Sequence, residues 1–280
     1  MCDLAERIVA LDGKTLRGSQ GHQLPGVHLL AAYCRDVEAV LAQLAVPGKT
    51  NEHKTALELL KLIPLKGTLI TGDAAFTQRD LCAAVIRGEG TIFCPSRTTS
   101  RRWRPTSGPP SARLFPPREA RRRAAEDDRA RTHGKGHGRV EIRRIVTTTR
   151  LTGYLDWPGV KQVCLLERVR RTKDKATTET VSAITSLGPE RASAAQLLGI
   201  ARGHWEIENR LHWVRDMSLG EDACRVRTGS APQILSGLRN TVLYVLRATG
   251  LVRIAEALRH LAARPEEAVR RVMQPLPTEL

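Results

Sequence analysis

The alternation of apolar and polar positions divides the first third of the chain into strands and helices. Apolar runs over residues 7–12, 26–34 and 39–46 predict three strands, and the short polar link at residues 35–38 joins the last two as a hairpin. The pattern then predicts a helix, a strand, a helix and a strand over residues 51–63, 67–76, 77–87 and 90–94. This order is typical of a mixed α/β sheet.

The rest of the chain separates into an irregular, a β-rich and a helical part. Residues 95–117 are crowded with Arg, Ser, Thr and Pro and show almost no apolar period. Further strands are predicted at residues 139–150, 160–171 and 178–187, and helices at 193–201, 202–216, 231–249 and 252–263. We therefore divide the chain into a first part of the core at 1–94, a disordered or aberrant basic segment at 95–135, a β-rich insertion at 136–188 and a helical completion of the core at 189–280.

The predicted helix at residues 202–216 combines a buried stripe with a cluster of charges. The stripe, at helical spacing, consists of Ile207, Leu211 and Val214. Beside it stand His204, Glu208 and Arg215, whereas Glu206 lies about 200° around the helix axis from Glu208. Glu208 is therefore the acid of the cluster. The cluster is either part of an active site or a set of charge pairs on a solvated face.

Two pairs of residues have competing interpretations. Trp205 and Trp213, eight residues apart, could stack on a flipped base, but tryptophan at helical spacing is more often buried, so we predict core positions. His133 and His137 lie in a Gly-rich basic loop without the further ligands of a metal site.

The charge of the chain narrows the class of partner. Its 280 residues carry a formal net charge of +16, which is typical of proteins that bind a polyanion such as nucleic acid. Residues 101–150 hold fifteen Lys or Arg against five acids and so contribute +10 of this charge. Such a run is either a solvated, partly disordered arm or a DNA-binding one, and the two interpretations are compatible.

Membrane and disulfide classes are disfavoured. The sequence has no run of about 18 apolar residues and no basic-then-apolar secretion signal at its start, which predicts a cytoplasmic protein. The six cysteines stand singly without a CxxC pair, which argues against a zinc site or a disulfide framework.

Three acids are the candidate chemistry. Asp12 and Asp73 stand at the ends of predicted strands, where two carboxylates of one sheet can meet, and Glu208 offers a third from a helix. Three carboxylates suit Mg²⁺, and in two-metal sites this ion supports phosphodiester chemistry. The competing interpretation is that Asp12 makes an Asx turn and Asp73 caps the following helix.

Several motifs in a fixed order resemble one family. LDGKTLRGS, LITGDAAFTQ and RGHWEIENRLHWVRDMSLGEDACRVR are similar to the DDE transposases of bacterial insertion sequences, in particular the ISAs and H-repeat-associated group. HLLAAY, KTNEHKTALELL, GHGRVEIRR and APQILSGLRNTVLYVLR follow the same order, so the resemblance covers most of residues 8–265. It implies an RNase H-like mixed-sheet catalytic core with a β-rich insertion and C-terminal helices.

The resemblance also implies activity, metals and partners. Asp12, Asp73 and Glu208 match the family's three catalytic acids, which would hold two Mg²⁺ or Mn²⁺ ions for cleavage and strand transfer. The implied partner is double-stranded DNA, both transposon ends and target, bound by a homodimer associated with the bacterial nucleoid. No small-molecule cofactor and no membrane are expected.

Around Glu208, the residues that would bind phosphate differ from those of the family pattern. The wider pattern has a Tyr and an Arg before the Glu and a Lys after it, where this chain has Ala201, His204 and Arg215. The phosphate role would therefore pass to His204 and Arg215. Lys14 and Arg17, beside Asp12, either grip phosphate or lie in an exposed turn.

Two further departures concern the length and the middle of the chain. The family carries roughly a hundred residues ahead of the first catalytic strand, the size of a small domain, so we expect a DNA-end-binding region to be missing here. In place of a lysine-containing turn after the fifth strand stands CPSRTTSRRWRPTSGPPSAR, whose back-translation one frame over gives PIKDDKPALATDIRASVGTP. We hypothesise a local frameshift, restored near Phe115. The alternatives to an active transposase are a catalytically dead DNA-binding remnant and a general RNase H-like nuclease.

Overall fold

The computed structural model describes residues 6–21, 25–48, 52–96, 127–136 and 138–274. The strands are β1 Arg7–Thr15, β2 His28–Cys34, β3 Ala39–Val46, β4 Thr68–Thr71, β5 Thr91–Ser96, β6 Asp128–Gly136, β7 Arg139–Thr148, β8 Gln162–Arg171 and β9 Ala176–Thr185. The helices are α1 Glu52–Leu60, α2 Arg79–Arg87, α3 Ala194–Gly203, α4 Trp213–Leu219, α5 Ala231–Ala248, α6 Ile254–Ala262 and α7 Pro265–Met273, with a π-helical segment at Ile207–His212.

The chain folds as two compact units. The split unit joins two distant parts of the sequence, Ile8–Ile63 and Trp205–Leu280. The central unit consists of Pro64–His204 together with Met1–Arg7.

The split unit contains an antiparallel meander in the order β3-β2-β1. Its hairpin turns at Glu38, whose φ of 51° lies in the left-handed region. Helix α1 packs against β2 and β3. Strands β1 and β2, the π-helical segment and the helices α4, α5 and α6 share one apolar core, made of Ala10, Ala31, Tyr33, Ile207, Leu211, Val214, Leu243, Leu246, Ile254 and Ala257. The apolar stripe predicted from the sequence is thus confirmed as buried.

The central unit contains six strands in the order β4-β5-β9-β8-β7-β6. Strands β4 and β5 are parallel, and the remaining neighbours are antiparallel. Helix α3 packs against β6 and β7, and it begins at a capping box in which Ser193 and Gln196 bond each other's backbone N–H groups. The predicted mixed α/β class with a β-rich insertion is confirmed.

Three elements differ from the sequence predictions. Strand β6 lies where the basic segment 95–135 was predicted to be disordered; it pairs with β7 through its backbone, and its mostly exposed side chains give no apolar period. The single helix predicted at residues 202–216 is instead interrupted after α3, and it continues as the π-helical segment and α4. Helix α7 was not predicted, although Val269, Val272 and Met273 stand at helical spacing; these three side chains are exposed.

Two other predictions are limited by the range of the structure. Most of the hypothesised frameshift, over residues 97–117, lies outside the described residues, as does His137.

No helix among the described residues is both long and apolar enough to cross a membrane. Among the described residues, Cys34, Cys82, Cys94 and Cys164 are buried and Cys224 is half-buried, and these five form no disulfide.

Candidate metal centre and basic surfaces

Asp12 is held by β1 in the split unit. The strand runs on to Thr15, so Asp12 lies within it and pairs with Ala31 of β2 rather than ending the strand as predicted. Its neighbour Leu11 is fully buried, whereas the Asp12 carboxylate remains partly exposed. Asp12 Oδ1 accepts a hydrogen bond of 2.9 Å from the N–H of Gly13, which leaves Oδ2 directed elsewhere.

Glu208 and His212 are held by the π-helical segment, where the N–H of Trp213 bonds the carbonyl of Glu208. A π-helix has a wider turn than an α-helix and is found often at functional sites. In such a turn, residues four apart point in nearly the same direction, so Glu208 and His212 share one side. Glu208 is exposed and His212 is buried.

The three side chains meet in one cluster. Ligand atoms of Asp12, Glu208 and His212 all lie within 4.8 Å of one another. His212 Nε2 stands 3.2 Å from Asp12 Oδ2, but the contact lacks hydrogen-bond geometry, and neither ring nitrogen has a hydrogen-bond partner among the described residues. Two carboxylates and a buried imidazole without other partners are suited to a divalent cation. The residues present therefore fit a metal ion.

Asp73 lies in the central unit, two residues after the end of β4. Its carboxylate is exposed, and Oδ1 accepts a hydrogen bond of 2.7 Å from the N–H of Ala75. Because α2 begins only at Arg79, this bond belongs to a local Asx turn and does not cap the helix.

Arg215 corrects one sequence prediction, because it cannot bind phosphate in this structure. Its side chain is 1% exposed. All five N–H donors of the guanidinium are used. Nε and Nη2 each donate to the carboxylate of Glu221 at 2.8 Å, and Nη2 also donates to Ser236. Nη1 donates to Asn240 and Gln43. Gly220, with a φ of 59°, ends α4 and turns the chain so that Glu221 meets Arg215.

Lys14 and Arg17 have different surroundings. Lys14 Nζ lies 2.6 Å from Asp216 and 3.5 Å from Asp222, and its side chain is only 11% exposed. Its charge is thus neutralised within the fold, which argues against the predicted phosphate role. Arg17 is 83% exposed and lies 3.5 Å from Asp222, so its guanidinium can still reach an outside ligand.

His204 lies outside both α3 and the π-helical segment, so the continuous helix predicted to join it to Glu208 is interrupted. It follows the last residue of α3 and is the last residue of the central unit, whereas Glu208 belongs to the split unit. Its Nδ1 lies 3.1 Å from the hydroxyl of Thr71, at the end of β4.

The prediction that Trp205 and Trp213 are core residues is wrong. They are 57% and 56% exposed, because Ile207, Leu211 and Val214 occupy the face that packs inward. Trp213 lines an open cavity of about 470 Å³ together with Arg210, Arg247 and Arg259, among others.

The β-rich insertion carries a second notable surface. Burial is the largest effect on Arg143 and lowers the pKa of its guanidinium; Glu141 opposes this, while repulsion from Arg202, Arg168 and Arg139 lowers the pKa further. Arg143 and Arg168 both pair with Glu141, and Arg168 also pairs with Glu179, so part of this positive charge is neutralised within the central unit.

His212 was not assigned a role from the sequence. The available signal was its spacing, because it follows Glu208 by four residues, the same spacing that was used to select His204. What the spacing could not show is that His212 faces Asp12.

Comparisons with known proteins show the family of the chain. The family described as "Transposase DDE domain" matches residues 3–245. "Putative transposase YncI" of Escherichia coli O157:H7 is 30% identical over 246 residues, which are 86% of this chain and 62% of that protein. "H repeat-associated putative transposase YhhI" of Escherichia coli K12 is 28% identical over 251 residues, 85% of this chain and 64% of that protein. The chain thus spans less than two thirds of the length of these relatives.

One solved structure aligns with almost the whole chain. It is a piggyBac transposase synaptic complex with hairpin DNA, which matches 98% of this chain and 58% of that one with 13% identity and a TM-score of 0.49.

Proposed function

Since the chain belongs to the family of the transposase DDE domain, we propose that it forms the catalytic part of a DNA transposase. The reaction would be phosphodiester cleavage at the ends of an insertion sequence, followed by strand transfer into target DNA. One observation carries the proposal: the carboxylates of Asp12 and Glu208, distant in sequence, come together with His212 in a cluster that fits a cation.

We propose Asp12, Asp73 and Glu208 as the catalytic acids. Asp12 and Glu208 are supported by the cluster, and Asp73 is supported by its place after β4 in the family's motif order and by its exposed carboxylate. Two Mg²⁺ or Mn²⁺ ions would activate the attacking hydroxyl and stabilise the leaving oxygen. The rigid strand β1 fixes Asp12, while the exposed Glu208 can approach DNA from its helix.

The DNA partner is supported by charge. The net charge of +16 suits the phosphate backbone, which dominates the affinity of most DNA-binding proteins. We propose that a homodimer holds two transposon ends, as the resemblance implies.

Nicking of DNA tests the proposed function. On a supercoiled plasmid that carries the cognate ends, Asp12→Asn, Asp73→Asn and Glu208→Gln should each reduce Mg²⁺- or Mn²⁺-dependent nicking by about 10²–10³-fold or more, the loss typical of groups that stabilise reacting oxygens. The matched control is Glu206→Gln, which makes the same chemical change two residues away, where Glu206 pairs with Arg35 and Arg210. The nicking rate of this control should stay within about threefold of the wild-type rate, far from the loss expected for a catalytic acid.

Three results would contradict the proposal or a part of it. Nicking by Glu208→Gln at the wild-type rate would remove Glu208 from the reaction. Salt-sensitive DNA binding without cleavage under any divalent metal would instead identify a binding protein that no longer catalyses the reaction. Equal cutting of DNA with and without transposon ends would indicate a general nuclease.

A further inference from the structure

His212 is a buried titratable residue that the three-acid scheme does not use. Its side chain is 4% exposed, and neither ring nitrogen has a hydrogen-bond partner among the described residues. Buried polar groups are nearly always bonded, so an imidazole with two open nitrogens requires a reason. An ion that the ring binds is one such reason.

The ring is directed at the carboxylates. Nε2 lies 3.2 Å from Oδ2 of Asp12 without the geometry of a hydrogen bond, and a ligand atom of Glu208 lies within 4.8 Å of both. The backbone supports this orientation, because the π-helical segment carries Glu208 and His212 on one side. Three potential ligands from a strand and a helix of the same unit thus converge on one point.

We propose that His212 is a metal ligand through Nε2, and that this site therefore prefers Mn²⁺ to Mg²⁺. The inference rests on the proposed function only in that it concerns the same cluster. Mg²⁺ takes oxygen ligands and keeps much of its water, whereas imidazole nitrogen suits first-row transition ions, and Mn²⁺ also accepts carboxylates. A site with one nitrogen and two carboxylates discriminates between these ions in a way that three carboxylates do not.

The competing role for His212 is purely to position Asp12. A ring that only fixes the carboxylate would change the affinity for both ions by the same factor. A ring that binds the ion would change mainly the affinity for Mn²⁺. The ratio of the two affinities therefore separates the roles.

The test is metal binding by the full chain without DNA. Calorimetric titration should give a wild-type affinity for Mn²⁺ about tenfold or more above that for Mg²⁺, and His212→Asn should lower this ratio about tenfold, within the range seen when a group supporting a metal is lost. His260→Asn is the matched control, since His260 lies in the same unit but pairs with Glu267 on an exposed surface. It should leave the ratio unchanged.

A second measurement avoids dependence on the variant's folding. In wild-type protein labelled with ¹⁵N-histidine, the pulsed electron paramagnetic resonance spectrum of bound Mn²⁺ should show coupling to a histidine nitrogen. Absence of this coupling, absence of Mn²⁺ binding at millimolar concentration, or an unchanged affinity ratio in a folded His212→Asn variant would overturn the inference.

The outcome is independent of the proposed function. Nitrogen coupling in a chain that never nicks DNA would retain the His212 ligand and reject the transposase activity. Nicking by a chain that shows no nitrogen coupling and binds both ions equally would retain the transposase activity and reject His212 as a ligand.

Discussion

Arg215 and Glu221 form a fully buried ion pair. Each side chain is 1% exposed, and the guanidinium also bonds Ser236, Asn240 and Gln43. The pair connects the end of α4 to β3 and α5. Removing one partner of such a pair leaves a buried charge without compensation, and this costs far more than the loss of a surface pair.

The first stability prediction concerns this pair. Arg215→Met should lower the free energy of unfolding by about 3–5 kcal/mol, because Glu221 would stay buried without its partner. Urea unfolding followed by circular dichroism measures the change. Arg17→Met is the control; its side chain is 83% exposed, so the same substitution should cost no more than about 1 kcal/mol. Equal losses for the two variants would show that burial of the pair does not matter.

At single positions, the sequence indicated which chemical groups are present, but it did not show which neighbours each side chain meets in the fold. Helical spacing correctly indicated that Ile207, Leu211 and Val214 are buried. The same spacing suggested a DNA contact for Arg215, because a sequence does not show that Glu221 folds back beneath it. His212 was overlooked for a similar reason, since its orientation depends on a strand almost two hundred residues earlier.

Strand β6 displays a row of basic groups along one face. Side chains alternate along a strand, so Arg129, Arg131, His133 and Lys135 project to the same side, and Arg131 pairs in register with Arg144 of β7. Apart from half-buried Ala130, every residue of β6 is exposed. Such a row matches the spaced charges of a phosphate backbone.

A charge-neutralised β6 should bind DNA more weakly. In the triple variant Arg129→Gln, Arg131→Gln and Lys135→Gln, the slope of log affinity against log salt should become shallower by about 2–3, since each lost phosphate contact removes about 0.9. Fluorescence anisotropy with a labelled duplex measures this slope. The control replaces the exposed Lys61, Lys66 and Arg87 by Gln, which removes the same charge elsewhere.

If only total charge matters, the triple variant and its control will lose the same affinity. If β6 is the contact surface, the control will keep the slope of the wild type. An unchanged slope in the β6 variant would exclude this strand from the DNA interface.

The elements that the sequence failed to predict differ in physical cause. Strand β6 is held by backbone pairing with β7 and has no apolar period. Helix α7 does have apolar residues at helical spacing, Val269, Val272 and Met273, but this signal was not recognised, and these side chains are exposed. The π-helical segment is invisible for another reason: one extra residue in a turn alters the period too little to separate it from an α-helix. The prediction for β3 matches its bounds, whereas the predicted β1 ends three residues early and the predicted β2 begins two residues early.

The whole molecule carries far more positive than negative charge, 45 Lys and Arg against 29 Asp and Glu. Affinity for any duplex should therefore depend strongly on salt. With 6–10 phosphate contacts, we expect a loss of about 10³–10⁵-fold between 50 and 200 mM salt. Anisotropy titrations at four salt concentrations would measure it, and a loss below about tenfold would contradict phosphate contacts as the main source of affinity.

At the scale of the whole chain, the sequence predicted the class of fold but not its assembly. Mixed α/β architecture follows from the order of strands and helices, and this prediction is confirmed. The joining of Ile8–Ile63 to Trp205–Leu280 follows from contacts between distant residues, which local periodicity does not contain.

The two parts of the split unit are synthesised at different times, because the whole of Pro64–His204 is made between them. Lys14 and Asp216, which pair beside Asp12, are 202 residues apart in the chain. At about 5–20 residues per second, a ribosome needs about 10–40 s to make the second partner after the first. Throughout that interval Asp12 has neither Glu208 nor His212 beside it. The nascent chain therefore carries the basic row of β6 before the cluster of Asp12, Glu208 and His212 is complete.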